Sequence, residues 1–128
     1  MKYLSDYTRD VTKTLFSKYN AFFAFNDKQF NEGKREGVDY KSLGVGLHVE
    51  TSKVKEFNLE FLKIVETAIT QDLAENGKDN VIERELSNYE CYYTYEIDDA
   101  VDALTDYNIT REEIQQVFNK NKQNHLDD

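Results

Sequence analysis

Three aspartates in one short run, Asp98-Asp99-Ala100-Val101-Asp102, are the residues of this chain best placed to do chemistry. On a helix, one turn brings the outer carboxylates together, and paired carboxylates are hard oxygen ligands for Mg²⁺ around a diphosphate. A metal-dependent phosphohydrolase built on Asp98, Asp99 and Asp102 needs a second acidic group facing the first, and Glu83, Glu85 and Glu90 are the candidates for it. The competing explanation is the wet face of an amphipathic helix, where carboxylates gather without any metal. That explanation is preferred, so the sequence assigns no catalytic residue, no metal and no cofactor.

The other reactive residue types are sparse. Gly44-Val45-Gly46 lacks the third glycine and the flanking lysine of a nucleotide loop, and small residues there fit a close approach to the outer face of a strand. His48, on the polar side of that strand, and His125, near the C-terminus, have neither a paired nucleophile nor a cysteine and histidine cluster. Cys91 is the only cysteine, which excludes an intrachain disulfide. Neighbouring tyrosines and carboxylates raise rather than lower a thiol pKa, so a packed, inert thiol is expected.

Residues 87–108 carry a different kind of signal: five tyrosines and six carboxylates, with no Lys or Arg among them. The net charge of -9 is concentrated here, for residues 1–64 hold 11 basic and 9 acidic groups, whereas residues 65–128 hold 5 and 16. Such a field repels phosphate backbones and anionic lipid and attracts basic surfaces. Neither direct nucleic-acid binding nor membrane binding is expected; a basic partner protein is. If Asp98, Asp99, Asp102 and Asp106 share one helix they cover about 12 Å, close to the one charge per roughly 3.4 Å of a DNA strand. The expected docking surface is this aspartate row bordered by Glu90, Glu96, Tyr92 and Tyr95. Helical spacing from Ile82 and Leu86 sends Tyr89 and Tyr93 inward and leaves Tyr92, Tyr95 and Tyr107 beside the acids.

The elements that must position these groups follow from periodicity and capping. A helix is expected over 5–19 with Ser5 as N-cap, then an extended aromatic run to Phe25. Asn26 and Gln29 form a capping box, with Phe25 and Phe30 as its staple, opening a helix to Glu36 and Gly37. Residues 43–50 alternate apolar with small or polar side chains and predict a strand, paired with residues 22–25 or with another chain's edge. A long helix over 52–76 carries a broad apolar face, and helices from about residue 79 and over 95–106 follow it. Thr110-Arg111-Glu112-Glu113 is a second capping box, stapled by Ile109 and Ile114, and residues 121–128 are expected to fray. The whole predicts a single mostly helical α+β domain, about five helices around the long one with a minimal two-stranded β element.

Three stretches have a family look: Phe22-Phe23-Ala24-Phe25-Asn26-Asp27-Lys28-Gln29-Phe30, Glu85-Leu86-Ser87-Asn88-Tyr89-Glu90, and Asp98-Asp99-Ala100-Val101-Asp102-Ala103-Leu104. In that order they are similar to a family of small, uncharacterised proteins encoded by phages and mobile elements of bacteria, over most of the chain from about residue 20. Tyr89-Glu90-Cys91 stands where that pattern has His-Glu-Tyr, so no histidine role carries over. The resemblance implies a setting in which small acidic proteins inhibit host DNA-binding defences, anti-CRISPR proteins among them. Low mean hydropathy and no apolar run behind Lys2 add the expectation of a cytoplasmic location. The expected function is therefore a non-enzymatic inhibitor that docks on a basic nucleic-acid-binding protein, such as a CRISPR effector, by charge (DNA) mimicry. The alternatives are the phosphohydrolase above and an accessory protein forming a homodimer through its exposed strand.

Overall fold

The first helix, α1 (Leu4–Tyr19), opens one residue earlier than Ser5 suggests, because Asp6 accepts the Tyr3 N–H at 2.8 Å and so satisfies an amide of the first turn. It stops at Asn20, whose φ of 53° is the left-handed conformation that asparagine tolerates better than most residues. These are two ends of a computed structural model that describes residues 2–126. The protein is a mostly helical α+β structure, with seven α-helices and a small three-stranded antiparallel sheet among the described residues. The chain divides into two compact units, Lys2–Ala68 and the part from Ile69 onward. None of the described helices is long and apolar enough to cross a membrane.

In the first unit, β1 (Phe22–Phe23) leads into α2 (Asp27–Gly33) through the expected box: Asn26 accepts the Gln29 N–H at 2.9 Å and Gln29 accepts the Phe25 N–H at 2.8 Å. Phe25 itself is exposed and stacks on Phe23, while Phe30 turns to the sheet. The helix ends at Gly33, earlier than expected. A methyl group there would lie 2.4 Å from the Phe22 ring, so glycine is what admits that ring against the helix.

The predicted strand over 43–50 is really a hairpin. Gly44, Val45 and Gly46 all have positive φ and turn the chain between β2 (Tyr40–Ser42) and β3 (Leu47–Glu50). The sheet order is β1-β3-β2, with Phe22 opposite His48 and Lys41 opposite Val49. β3 thus has chain partners on both sides, and the edge proposed for pairing with a second copy is occupied. The glycines serve the turn, a position glycine adopts at no steric cost.

The two sheet faces are packed differently. Val49 is fully buried with Leu15, Tyr19 and Phe57, the last from the long helix α3 (Val54–Asn76), which follows a single 3₁₀ turn at Thr51–Lys53. On the opposite face Phe22, Phe30, Tyr40 and His48 form a ring cluster with centroids 5.1–6.0 Å apart. His48 also places Nε2 3.2 Å from the Ala24 carbonyl oxygen. It is a half-buried packing residue of this cluster.

The second unit takes the end of α3 and continues with α4 (Lys78–Asn88), α5 (Cys91–Thr94), α6 (Asp98–Ala103), a 3₁₀ turn (Thr105–Tyr107) and α7 (Arg111–Leu126). Val81, Ile82, Leu86, Ile97, Ala100, Leu104 and Ile114 make its core. The box at the start of α7 forms as expected, Thr110 N–H to Glu113 Oε1 at 3.1 Å and Glu113 N–H to Thr110 Oγ1 at 3.2 Å, and Ile109 and Ile114 are both buried. Lys78 pairs with the same Glu113. Of the stretch expected to fray, residues 121–126 lie within α7, and residues 127 and 128 and the His125 side chain lie outside the description.

Candidate functional site

The aspartate row is exposed, but it is shorter than the spacing suggests. The helix expected over 95–106 is held to Asp98–Ala103 because Tyr95 has a left-handed φ of 59° and Leu104 leaves the α region. Ile97, Ala100 and Leu104 face the core, which turns Asp98, Asp99 and Asp102 outward. Asp106 is exposed on the 3₁₀ turn beyond, so four carboxylates do not share one 12 Å helix.

One of the four is neutralised from within. Arg111 Nη2 donates to Asp98 Oδ1 at 2.5 Å, which holds the Asp98 carboxyl below its ordinary range. Both side chains are more than half exposed, so the pair adds little to stability. Glu96 and Asp102 reinforce the charge on Arg111. The side chains of Asp99, Asp102, Asp106 and Glu90 have no hydrogen bond or ion pair among the described residues.

The tyrosines sort almost in reverse of expectation. α4 ends at Asn88, and Glu90 enters α5 with a left-handed φ of 56°, so the helical phase running from Ile82 and Leu86 is reset before Tyr92. Tyr93 is 86% exposed and Tyr89 is also exposed, whereas Tyr92 and Tyr107 are buried; only Tyr95 is exposed as expected. Tyr92 stacks on Phe118 with centroids 5.2 Å apart, and its hydroxyl donates to Glu83, which accepts from Asn121 at 2.8 Å as well. Burial, then the Glu83 carboxylate, drives the Tyr92 pKa well up. Tyr92 is therefore a core residue, and Tyr93 is the tyrosine exposed in its stead.

Two of the three acidic groups proposed as a second metal motif are engaged elsewhere. Glu83 serves Tyr92 and Asn121, and Glu85 is buried against Arg84, Nε to Oε1 at 2.8 Å. Among the described residues no group of three or more His, Cys, Asp or Glu is disposed to hold a metal ion. Cys91 is fully buried, and burial raises its thiol pKa.

The strongest polar feature of the second unit is one the sequence reading passed over. Asp72, fully buried on α3, accepts Asn76 Nδ2 at 2.7 Å and Arg84 Nη1 at 2.9 Å on one oxygen, and Arg84 Nη2 at 2.9 Å and the Tyr107 hydroxyl at 2.5 Å on the other. Burial alone would raise the Asp72 pKa; the bonds from Arg84, Tyr107 and Asn76 outweigh it and hold the carboxyl below its usual range. A signal was available, since Asp72 continues the apolar series Val54, Phe57, Phe61, Ile64 and Ala68 by four residues. This network fixes α3, α4 and the 3₁₀ turn, and so holds in place the chain on which the exposed carboxylates ride.

The chain belongs to a family described as a family of unknown function (DUF7659), whose model matches residues 4–124. No curated protein and no solved structure matches the chain.

Proposed function

We propose that this protein works by binding, docking the exposed acidic face around α5 and α6 onto a basic protein that itself holds nucleic acid. The observation that carries the proposal is the set Glu90, Asp99, Asp102 and Asp106, exposed and without an ion pair of their own among the described residues. Carboxylates left unpaired in the folded chain are free to replace phosphates in a partner's Arg and Lys groove. Exposed Tyr93 and Tyr95 supply ring faces beside them, as basic hot spots favour. A guided nuclease of the kind suggested by the resemblance to phage-encoded families is one member of that partner class. Occupying its groove would exclude nucleic acid by charge mimicry.

The test is capture from host lysate on the immobilised protein, at about 50 and 500 mM salt, with duplex DNA as competitor. A basic protein should be retained at low salt, released at high salt, displaced by DNA, and lost from the Asp99→Lys/Asp102→Lys variant, whose fold should survive because neither side chain has a hydrogen bond or ion pair among the described residues. Retention of the same protein by that variant would overturn the proposal.

A further inference from the structure

We infer that the groove where α4 gives way to α5 receives a single arginine side chain from the basic partner. This rests on the docking proposed above and names its anchor. The groove, of about 330 Å³, is lined by Ser87, Glu90, Tyr92 and Tyr93. Its parts are set by the chain: Tyr93 N–H donates to the Glu90 carbonyl oxygen at 3.0 Å, which closes the turn on which Glu90 and Tyr93 both line the groove. Tyr92 has one ring face against Phe118 and its hydroxyl on Glu83, and forms a fixed wall. Glu90 and Tyr93 are exposed, and neither side chain has a hydrogen bond, ion pair or ring contact among the described residues.

The charge and shape together select the occupant. A carboxylate beside an open tyrosine ring, within a stretch holding no Lys or Arg from 87 to 108, calls for a cation with an aromatic-compatible face. Guanidinium fits better than ammonium: it is planar, stacks on rings, is weakly hydrated, and can bond a carboxylate with two parallel N–H groups. Lysine would reach the same carboxylate only as a point charge.

The experiment titrates the isotope-labelled intact protein with three blocked pentapeptides, Gly-Gly-X-Gly-Gly with X as arginine, lysine or the uncharged citrulline, followed by amide and tyrosine-ring NMR shifts. The arginine peptide should bind saturably, with shifts centred on Ser87, Glu90 and Tyr93; lysine should bind more weakly and citrulline not at all. Glu90→Gln and Tyr93→Leu should each weaken the arginine peptide about 3-fold. Asp99→Asn/Asp102→Asn should change it less than about 2-fold, since the charges are screened across the surface. Glu90→Gly, which relieves the left-handed φ, should raise Tm while weakening the peptide, so that lost binding cannot be ascribed to lost folding. Equal binding of lysine, shifts centred on α6, or no saturable shift would each overturn the arginine groove. The wider docking proposal is judged separately, by whether the Asp99→Lys/Asp102→Lys variant still captures its partner.

Discussion

Asp72→Ala is the substitution with the largest effect that this structure implies. It removes four hydrogen bonds at once and leaves the Arg84 side chain, only 4% exposed, with Glu85 as its remaining carboxylate. Removing one partner of a buried pair costs roughly 3–5 kcal/mol, against a total of about 5–15 kcal/mol for a domain. A loss of about 3 kcal/mol at about 4 °C per kcal/mol lowers Tm by about 12 °C. Urea unfolding followed by circular dichroism measures it, and Arg84→Met with the double variant Asp72→Leu/Arg84→Met completes a cycle. The double variant should be more stable than Arg84→Met, which leaves both Asp72 and Glu85 without their cation, whereas the double variant leaves only Glu85. The pH dependence has a definite sign. The Asp72 carboxyl is lowered in the fold, so its stabilisation is complete above its unfolded value of about 3.9 and fades as pH falls through the lower folded value. Tyr107 is raised, by burial and by Asp72, so its contribution is complete below about pH 10 and fades above it. Asp72→Ala should flatten the acid limb. A loss below about 1 kcal/mol, or single effects that simply add, would refute the claim that these groups act as one buried unit.

Two further outcomes follow from the geometry. Gly33→Ala places a methyl group 2.4 Å from Phe22, whose ring is held by Phe30, Tyr40 and His48, and should cost about 1–3 kcal/mol by urea unfolding; pairing it with Phe22→Leu should recover part of that. Adding about 10 mM Mg²⁺ should leave Tm within about 1 °C, because a site that bound it would stabilise the fold by mass action, and a larger rise would revive the phosphohydrolase reading of Asp98, Asp99 and Asp102.

What could be read from the sequence was whatever is decided within one turn of chain. The boxes at Asn26 and Thr110 and the long helix through Ala68 depend on side chains three or four residues apart, and all three are present. Gly44-Val45-Gly46 defeated the alternation rule because a hairpin turn of small and apolar residues looks like a strand with period two. The tyrosine faces were misassigned for a related reason: Glu90 and Tyr95 adopt left-handed φ although neither is glycine or asparagine, and nothing in their types announces a break. The Asp72 network joins residues 12 and 35 positions apart, so its partners are set by packing and not by local chemistry.

That last point bears on how acidity should be interpreted. From Ile69 onward the chain has five basic residues, and three of them, Lys78, Arg84 and Arg111, are committed to Glu113, to Asp72 and Glu85, and to Asp98. Acidic groups supplied with a cation or a hydroxyl have become structural: Asp72 and Glu85 are buried, and Glu83 carries Tyr92. Those left over include Glu90, Asp99, Asp102 and Asp106 around α5 and α6, together with Asp79 and Glu112 in the first turns of α4 and α7. Net charge alone would not have separated the two populations, since both contribute equally to it. The separation lies in the supply of donors, and a surface deprived of internal donors is one that only an external cation can satisfy. Replacing Asp99 with Lys would give Asp102 and Glu96 an internal counterion; if docking is what this face does, that single added donor should weaken capture of the basic partner more than Asp99→Asn does, whereas equal effects would mean that the carboxylate's own contact, not the unmet charge around it, governs binding.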